Sequence, residues 1–184
     1  MTNALSLPLQ LTALSVGLLV FRIVIGLAMA AHGTQKLFGW FGGHGLAGTG
    51  GFFEMLGFRP GRAFALAAGA TELASGLLIA LGFLGPVGPA LMLSVMIVAA
   101  LTVHWKNGFF ASANGIEITV LFGVAAIALA FTGFGQFSLD AVAGIDMWFS
   151  PVEAIAALLL GVIGAIGNLS LRRRAISGPT PAAR

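Results

Sequence analysis

The chain consists of long apolar stretches separated by short polar connections. Five stretches are long enough to form helices that cross a bilayer, whose hydrocarbon core requires about 20 apolar residues per helix. Their apolar residues run in blocks, unlike the narrow stripes of a soluble helix bundle. The pattern therefore predicts an all-α polytopic membrane protein. The predicted helices cover Leu11–Leu37, Arg62–Phe83, Val87–Trp105, Gly115–Phe134 and Pro151–Leu169.

The connections between these helices differ in length. The tight Gly85-Pro86 connection predicts that the second and third helices are antiparallel neighbours. Residues 38–61 are rich in Gly and Phe, so we expect them to lie in the membrane interface or to dip into the protein, shielded from lipid. The other long connection, residues 135–150, carries two aspartates.

Composition supports the membrane prediction and excludes several classes of function. Hydrophobic residues make up 58% of the chain and charged residues 8%, whereas about a quarter of a soluble domain is charged. The net charge of +3 is scattered between apolar stretches and forms no face for nucleic acid. Because the chain has no cysteine, it has no disulfide, no thiolate nucleophile and no cysteine-ligated iron–sulfur cluster. Any electrons that pass through it must therefore be carried by a bound group.

The basic residues predict the orientation of the chain. With five membrane crossings, eight of the nine basic residues fall on one side of the bilayer. The positive-inside rule places that side in the cytoplasm, with the N-terminus outside and the C-terminus inside the cell. We therefore expect a multi-pass membrane protein with its basic side in the cytoplasm. The eight residues are Lys36, Arg59, Arg62, Lys106, Arg172, Arg173, Arg174 and Arg184.

Arg22 and Glu72 are charged residues inside predicted membrane-spanning helices. Counted from the helix ends, both lie about 16 Å from the outer face, and an ion at that depth needs a partner. The sequence therefore predicts an Arg22–Glu72 ion pair, either as part of a functional site or only as a structural lock. Small residues on the same helical faces should let the two helices approach closely; they are Gly26, Gly33, Ala65, Ala68, Gly69 and Gly76.

A second polar group lies nearer the predicted cytoplasmic face, where His32, Lys36, His104 and Glu117 should share one depth. These side chains could line a pocket in which histidine and carboxylate handle protons and hydrogen-bond a quinone. Haem bound through two histidines, a metal held by His32, His104 and Glu117, or simple anchoring at the headgroups are alternatives. His44, in the glycine-rich connection, is a weaker candidate. Phenylalanines beside the proposed pocket, Phe53 and Phe109 among them, could stack on a quinone ring or simply pack.

Several segments, in this order, resemble the DoxX family of bacterial membrane proteins. Arg22 is followed by "HGTQKLFG" from His32, a glycine-rich connection that ends in "GGFFEMLGF", and "GATELASGLLIALG" around Glu72. Then come "HWKNGFF" from His104, "NGIE" ending at Glu117, and "FSLD" ending at Asp140. The resemblance covers about residues 18–140.

The resemblance implies a four-helix membrane core, residues 11–140 here, and in some relatives association with redox systems. One relative is a subunit of a thiosulfate:quinone oxidoreductase, and another belongs to a membrane complex linked to oxidative-stress defence. The additional transmembrane helix at residues 151–169 and the basic tail at 170–184, predicted to be disordered in the cytoplasm, extend beyond the minimal family pattern.

The leading hypothesis is a membrane subunit of a quinone-linked oxidoreductase, with the bilayer, partner redox subunits or further copies of the chain as its partners. In this hypothesis Arg22 holds an oxygen of the ligand, Glu72 balances Arg22, and a histidine with Glu117 manages protons. Lys36, Phe53 and Phe109 complete the proposed quinone site. The alternatives are a non-catalytic scaffold or assembly subunit and a small-molecule transporter.

The predicted orientation can be tested by labelling, because the chain has no native cysteine. In whole cells, Asn3→Cys should react with a membrane-impermeant maleimide. Ser177→Cys, in the basic tail, should react only after the cells are opened. Labelling of Asn3→Cys from the cytoplasmic side alone would reverse the orientation.

Overall fold

A computed structural model describes residues 6–173, which are helical apart from turns and short connections and contain no strand. The all-α fold is therefore confirmed for this part of the chain. Residues 174–184, including most of the predicted disordered tail, lie outside the described residues. The helices are α1 (Ser6–Phe38), α2 (Gly45–Met55), α3 (Gly61–Leu81), α4 (Val87–Ala99), α5 (Glu117–Thr132), α6 (Leu139–Ala143) and α7 (Pro151–Ser170).

The closest packing in the bundle is between α1 and α3, which run antiparallel with their backbones almost in contact. A Cβ atom at Gly26 would lie within 3 Å of the Ala80 backbone, and one at Gly33 would lie equally close to Leu73. Gly76 faces the backbone of α1 in the same way. Because only glycine leaves room for this approach, the expectation that small residues bring the two helices together is confirmed.

The other long helices pack around this pair. A short turn joins α3 to α4, and Gly88 near the start of α4 lies beside Ile79 near the end of α3, so the predicted antiparallel neighbours are confirmed. Helix α4 in turn contacts α5 and α7. The centre of the bundle holds a cluster of buried side chains: Met29, Ile79, Met92, Met96, Ala126, Leu129 and Phe134.

Four helices in the described part of the chain have the length and composition of membrane spans: Leu9–Phe38, Gly61–Leu81, Val87–Asn107 and Pro151–Ser170. The apolar helix α5 has 16 residues and is shorter. It still connects the two ends of the bundle, since Asn114 before it accepts a hydrogen bond from His104 and Gln136 after it donates one to Ser15. The chain therefore runs between the two ends of the bundle five times, as a polytopic membrane protein.

Two local features differ from the sequence-based expectation. The glycine-rich connection at residues 38–61 contains the eleven-residue helix α2, which packs against α3. Four glycines among those eleven residues give α2 a poor intrinsic helix propensity, so packing against α3 outweighs the local preference. The span that begins with α4 also changes geometry near its end, where Ala100–His104 form a π-helical turn.

The basic residues gather at one end of the bundle, the end that we call the basic end. Lys36, Arg62 and Lys106 lie there, and the Arg173 amide donates to the carbonyl of Gly57 at 2.9 Å. Arg22 lies at the opposite end, close to Gly82. This distribution matches the sequence pattern on which the orientation was predicted.

The α1–α3 contact yields a stability prediction. Gly26→Val should lower the melting temperature of the detergent-purified protein strongly, because the new side chain meets the Ala80 backbone, which cannot move aside. Overpacking of this kind typically costs about 1–3 kcal/mol or more. Gly17→Val is the matched control on the same helix, since a Cβ there meets nothing within 4 Å. Equal effects of the two variants would contradict the proposed role of this contact.

Candidate functional site

A cavity of about 1030 Å³ lies in the half of the bundle nearer the basic end. Its walls come mainly from α2, α3, α4 with the following π turn, and α7, together with Gln35 and Lys36 of α1. Most of the wall is apolar, and polar side chains occur at separate positions within it. The principal polar lining residues are Lys36, His44, Thr71, Glu72, Ser94, Thr102, His104 and Asn168.

The ion pair between Lys36 and Glu72 lies in the wall of this cavity. The Lys36 Nζ and a Glu72 carboxylate oxygen are 2.6 Å apart. Gly69, one turn before Glu72 on α3, brings the Lys36 Cβ close to α3, so the packing of the helices positions the pair. The Glu72 side chain is 3% exposed and that of Lys36 is 26% exposed. The carboxylate is therefore sealed inside the bundle, while the lysine side chain remains partly accessible.

His104 belongs to the same cavity and is held by the π turn. Its Nδ1 lies 2.8 Å from the carbonyl oxygen of Asn114, and because a carbonyl can only accept, Nδ1 carries the hydrogen. In the neutral ring, Nε2 is then the unprotonated nitrogen and can accept a proton or a hydrogen bond. π turns inside helices are frequent at functional sites. Here the turn ends at His104 itself, so it determines where the imidazole sits.

The predicted ion pair between Arg22 and Glu72 is wrong, because Glu72 pairs with Lys36. Glu72 precedes Leu73, which packs against Gly33, whereas Arg22 lies near Gly82 at the other end of α3. Arg22 and Gly33 are eleven residues apart on α1, roughly 16 Å along the helix axis. The sequence-based estimate of depth was wrong because α1 begins at Ser6 and not at Leu11. Counting residues from the predicted start of α1 therefore did not show how α1 is offset along α3.

Arg22 instead binds two backbone carbonyls, one at the end of α3 and one in the segment after α5. Its guanidinium donates to the carbonyl of Ala80 and, at 2.5 Å, to that of Phe137. The side chain is 2% exposed. Among residues 6–173, its Nε is the one buried side-chain nitrogen or oxygen atom that makes no hydrogen bond. The last carbonyls of a helix carry the negative end of its dipole, so they stabilise the cation without a carboxylate.

Asp140, the end of the "FSLD" segment, has a structural place beside Arg22. Its carboxylate accepts hydrogen bonds from the backbone amides of Leu84 at 2.8 Å and Gly85 at 2.7 Å. Both of these residues have positive φ in the turn that joins α3 to α4. The Asp140 carboxylate therefore holds a strained turn in place. At this end of the bundle, the side chains of Arg22 and Asp140 both bind backbone groups.

The remaining predicted site residues divide between the cavity and other places. Phe53 lines the cavity together with Lys36, Glu72 and His104. His32 does not; its ring contacts that of Phe122 on α5 with a centroid distance of 6.1 Å. Glu117 accepts a hydrogen bond from the Ala111 amide at 2.7 Å and orders the turn before α5. Phe109 is also outside the lining.

Sequence reasoning missed several polar lining residues, Ser94 and Asn168 among them. Ser94 lies in the middle of α4 and Asn168 near the end of α7. The rule that singled out Glu72 for its polarity inside an apolar helix applies to Asn168 as well, and following it would have found this residue. His44, the weaker candidate, does line the cavity. Among the residues that the structure describes, no three His, Asp or Glu side chains cluster as a metal site would require.

The ion pair leads to a prediction about stability. Lys36→Met should destabilise the protein by about 3 kcal/mol, because it leaves the buried Glu72 carboxylate without its partner. Lys36→Met combined with Glu72→Leu should recover most of the loss, since both charges are then removed. Chemical denaturation in mixed micelles would measure both effects.

Arg22 supplies the comparison for that experiment. Arg22→Met combined with Glu72→Leu should lose at least as much stability as the two single substitutions lose in sum, because the two residues belong to separate parts of the bundle. Recovery in this double variant instead of the Lys36 one would contradict the observed pairing.

Comparison with known proteins agrees with the resemblance noted above. The DoxX family model matches residues 17–105, just under half of the chain, from α1 to the turn after α4. Searches of curated proteins and of solved structures gave no match. The matched segment contains Lys36, Glu72 and His104, whereas α5 and α7 follow it. This membrane protein therefore contains a segment, residues 17–105, that matches the DoxX family.

Proposed function

We propose that this protein is the quinone-binding membrane subunit of an oxidoreductase, with the cavity between α2, α3, α4 and α7 as the quinone site. The observation that carries the proposal is that Lys36 lines the cavity while it is paired with Glu72. An ammonium group has three donors, and Glu72 accepts from one of them. In this proposal the donors that Glu72 does not use bind a carbonyl oxygen in the cavity, since Lys36 lines the cavity and its side chain is partly accessible.

The buried partner makes Lys36 suitable for this task. A lone ammonium inside a membrane protein would be costly, and the carboxylate of Glu72 balances it. Because Glu72 is almost fully enclosed, it holds the lysine in place without competing for the ligand's position. A neutral ligand with a polarised carbonyl fits this arrangement, since charge-assisted hydrogen bonds are stronger than neutral ones.

The apolar wall fits the rest of a quinone. Phe52, Phe53 and Phe58 line the cavity, and the rings of Phe53 and Phe58 have centroids 5.9 Å apart. Aromatic rings in this arrangement offer faces and edges to a planar ring. The volume of about 1030 Å³ is at the upper end of the range for ligand sites, which leaves room for part of an isoprenoid chain beside the ring.

His104 supplies a proton-handling group at the basic end. Its Nδ1 is tied to Asn114, so the free Nε2 is the atom that accepts or delivers a proton. Reduction of a quinone to a quinol takes up two electrons and two protons. In our proposal His104 relays protons, and Glu72 keeps Lys36 charged.

In this proposal the electrons come from another protein; the chain itself has no cysteine to ligate an iron–sulfur cluster. We therefore propose a partner redox subunit that docks at the basic end. The positive-inside rule would place this end at the cytoplasmic face of a bacterial inner membrane. A soluble donor in the cytoplasm would then have direct access to it.

Binding of decylubiquinone to the purified protein tests the proposal. The fluorescence of the wild-type protein should be quenched or shifted when the quinone is titrated in. Lys36→Met together with Glu72→Leu should weaken binding about tenfold, the effect of losing one charge-assisted hydrogen bond. The double substitution is used because it leaves no unpaired buried charge.

Trp105→Phe is the control, since Trp105 is exposed and does not line the cavity. It should bind the quinone as the wild type does. If wild-type protein in micelles and in lipid nanodiscs binds no quinone, the proposal is wrong, and a scaffold subunit becomes the better description.

His104→Phe should separate proton handling from binding. Together with its electron-donating partner, this variant should keep the quinone affinity within about threefold, as expected for one neutral hydrogen bond. Its rate of quinone reduction should fall by about a hundredfold, the lower end of the contribution of a general acid. An unchanged rate would remove His104 from the proposed proton path.

A further inference from the structure

The wall formed by α4 and α7 carries two polar side chains that form no hydrogen bond within the described part of the chain. Within residues 6–173, no side-chain hydrogen bond is made by Ser94 or by Asn168. Both line the cavity, and both are half-buried. By contrast Thr71 and Thr102, also in the lining, each donate to a carbonyl of their own helix.

The two residues are brought together by a glycine on α7. A Cβ at Gly164 would lie 3.5 Å from the Ser94 hydroxyl, so this helix passes close to α4 at that level. Asn168 follows Gly164 by four residues and therefore lies on the same face of α7, one turn nearer the basic end. Gly164 and Asn168 both line the cavity.

This pair and Lys36 belong to different helices of the cavity wall. Helix α4 packs against α3 on one side and against α7 on the other, whereas Lys36 and Glu72 come from α1 and α3. The cavity therefore has polar groups on walls built from different helices, and apolar side chains such as Val95 and Val98 also line it.

We propose that Asn168 and Ser94 form a second polar contact for the ligand and recognise the oxygen of the ring that does not face Lys36. The inference rests on the proposed function, and it specifies the ligand as a ring with two separated oxygen atoms. An amide and a hydroxyl both donate and accept. They therefore fit the carbonyl of a quinone and the hydroxyl of a quinol, while the ammonium group of Lys36 only donates.

The second contact would depend on α7, which lies outside the segment matched by the family model. The end of α7 is attached to the end of α2, because the Arg172 Nε donates to the Leu56 carbonyl at 2.5 Å. This attachment holds the Asn168 wall against the rest of the cavity. Selectivity for the ring would then be set by an element added to the family core.

Two probes distinguish this contact from a general packing role: decylubiquinone, with two ring carbonyls, and a cyclohexenone carrying the same decyl chain, with one. Asn168→Leu, of similar size, should weaken decylubiquinone binding about threefold to tenfold. It should leave the affinity for the cyclohexenone within about twofold. Ser94→Ala should act in the same direction and more weakly.

Ile163→Ala is the control on α7, because Ile163 is 62% exposed and does not line the cavity. It should change neither affinity. Melting temperatures of all variants should be measured in the same detergent, so that a loss of structure is recognised, and Ser94→Ala remains a second test if Asn168→Leu does not fold.

The outcomes separate the inference from the proposed function. If wild-type protein binds neither probe, both are wrong. If it binds decylubiquinone and the folded Asn168→Leu variant loses both probes equally, or loses neither, the proposed function stands and the second contact is wrong. If only the affinity for the two-carbonyl probe falls, the second contact is supported.

Discussion

The close contact between the backbones of α1 and α3 is the constraint on which the rest of the molecule depends. Gly26 and Gly33 on α1 face backbone atoms of α3, and Gly76 returns the contact from the other side. A side chain at any of these positions would push the helices apart or shift one along the other. Because α1 and α3 are locked in one register, Lys36 meets Glu72 at one end of the pair and Arg22 meets the last carbonyls of α3 at the other.

This register gives the two buried cations different roles. The Arg22 guanidinium donates hydrogen bonds to the backbone carbonyls of Ala80 and Phe137. These bonds connect the end of α3 to the segment after α5. The role of Arg22 is therefore to supply hydrogen-bond donors to a carbonyl that has no partner at the end of the helix. Lys36 has a carboxylate partner and an exposed side that faces a cavity. In the proposed function a ligand therefore binds the lysine and not the arginine.

The sequence predicted the fold well and the site in part, for physical reasons that particular residues show. Blocks of apolar residues are set by the thickness of the bilayer, so the four long spans, the α3–α4 neighbours and the small-residue contact were found. The partner of Glu72 was not, because it depends on the offset between α1 and α3, and α1 with its 33 residues is much longer than α3 with 21. Hydropathy contains no information about that offset.

The cavity itself depends on features that no hydropathy pattern contains. Helix α2 forms in a glycine-rich segment because α3 is there to pack against it, and the π turn that ends at His104 departs from the regular helix predicted through Trp105. Both departures occur beside the cavity, and both carry a structural cost, in glycine entropy for α2 and in irregular hydrogen bonding for the π turn. A bundle that only had to span the membrane would gain nothing from either feature. Their common position around Lys36 and His104 is therefore a reason, independent of the charges, to place the function of this protein at the cavity.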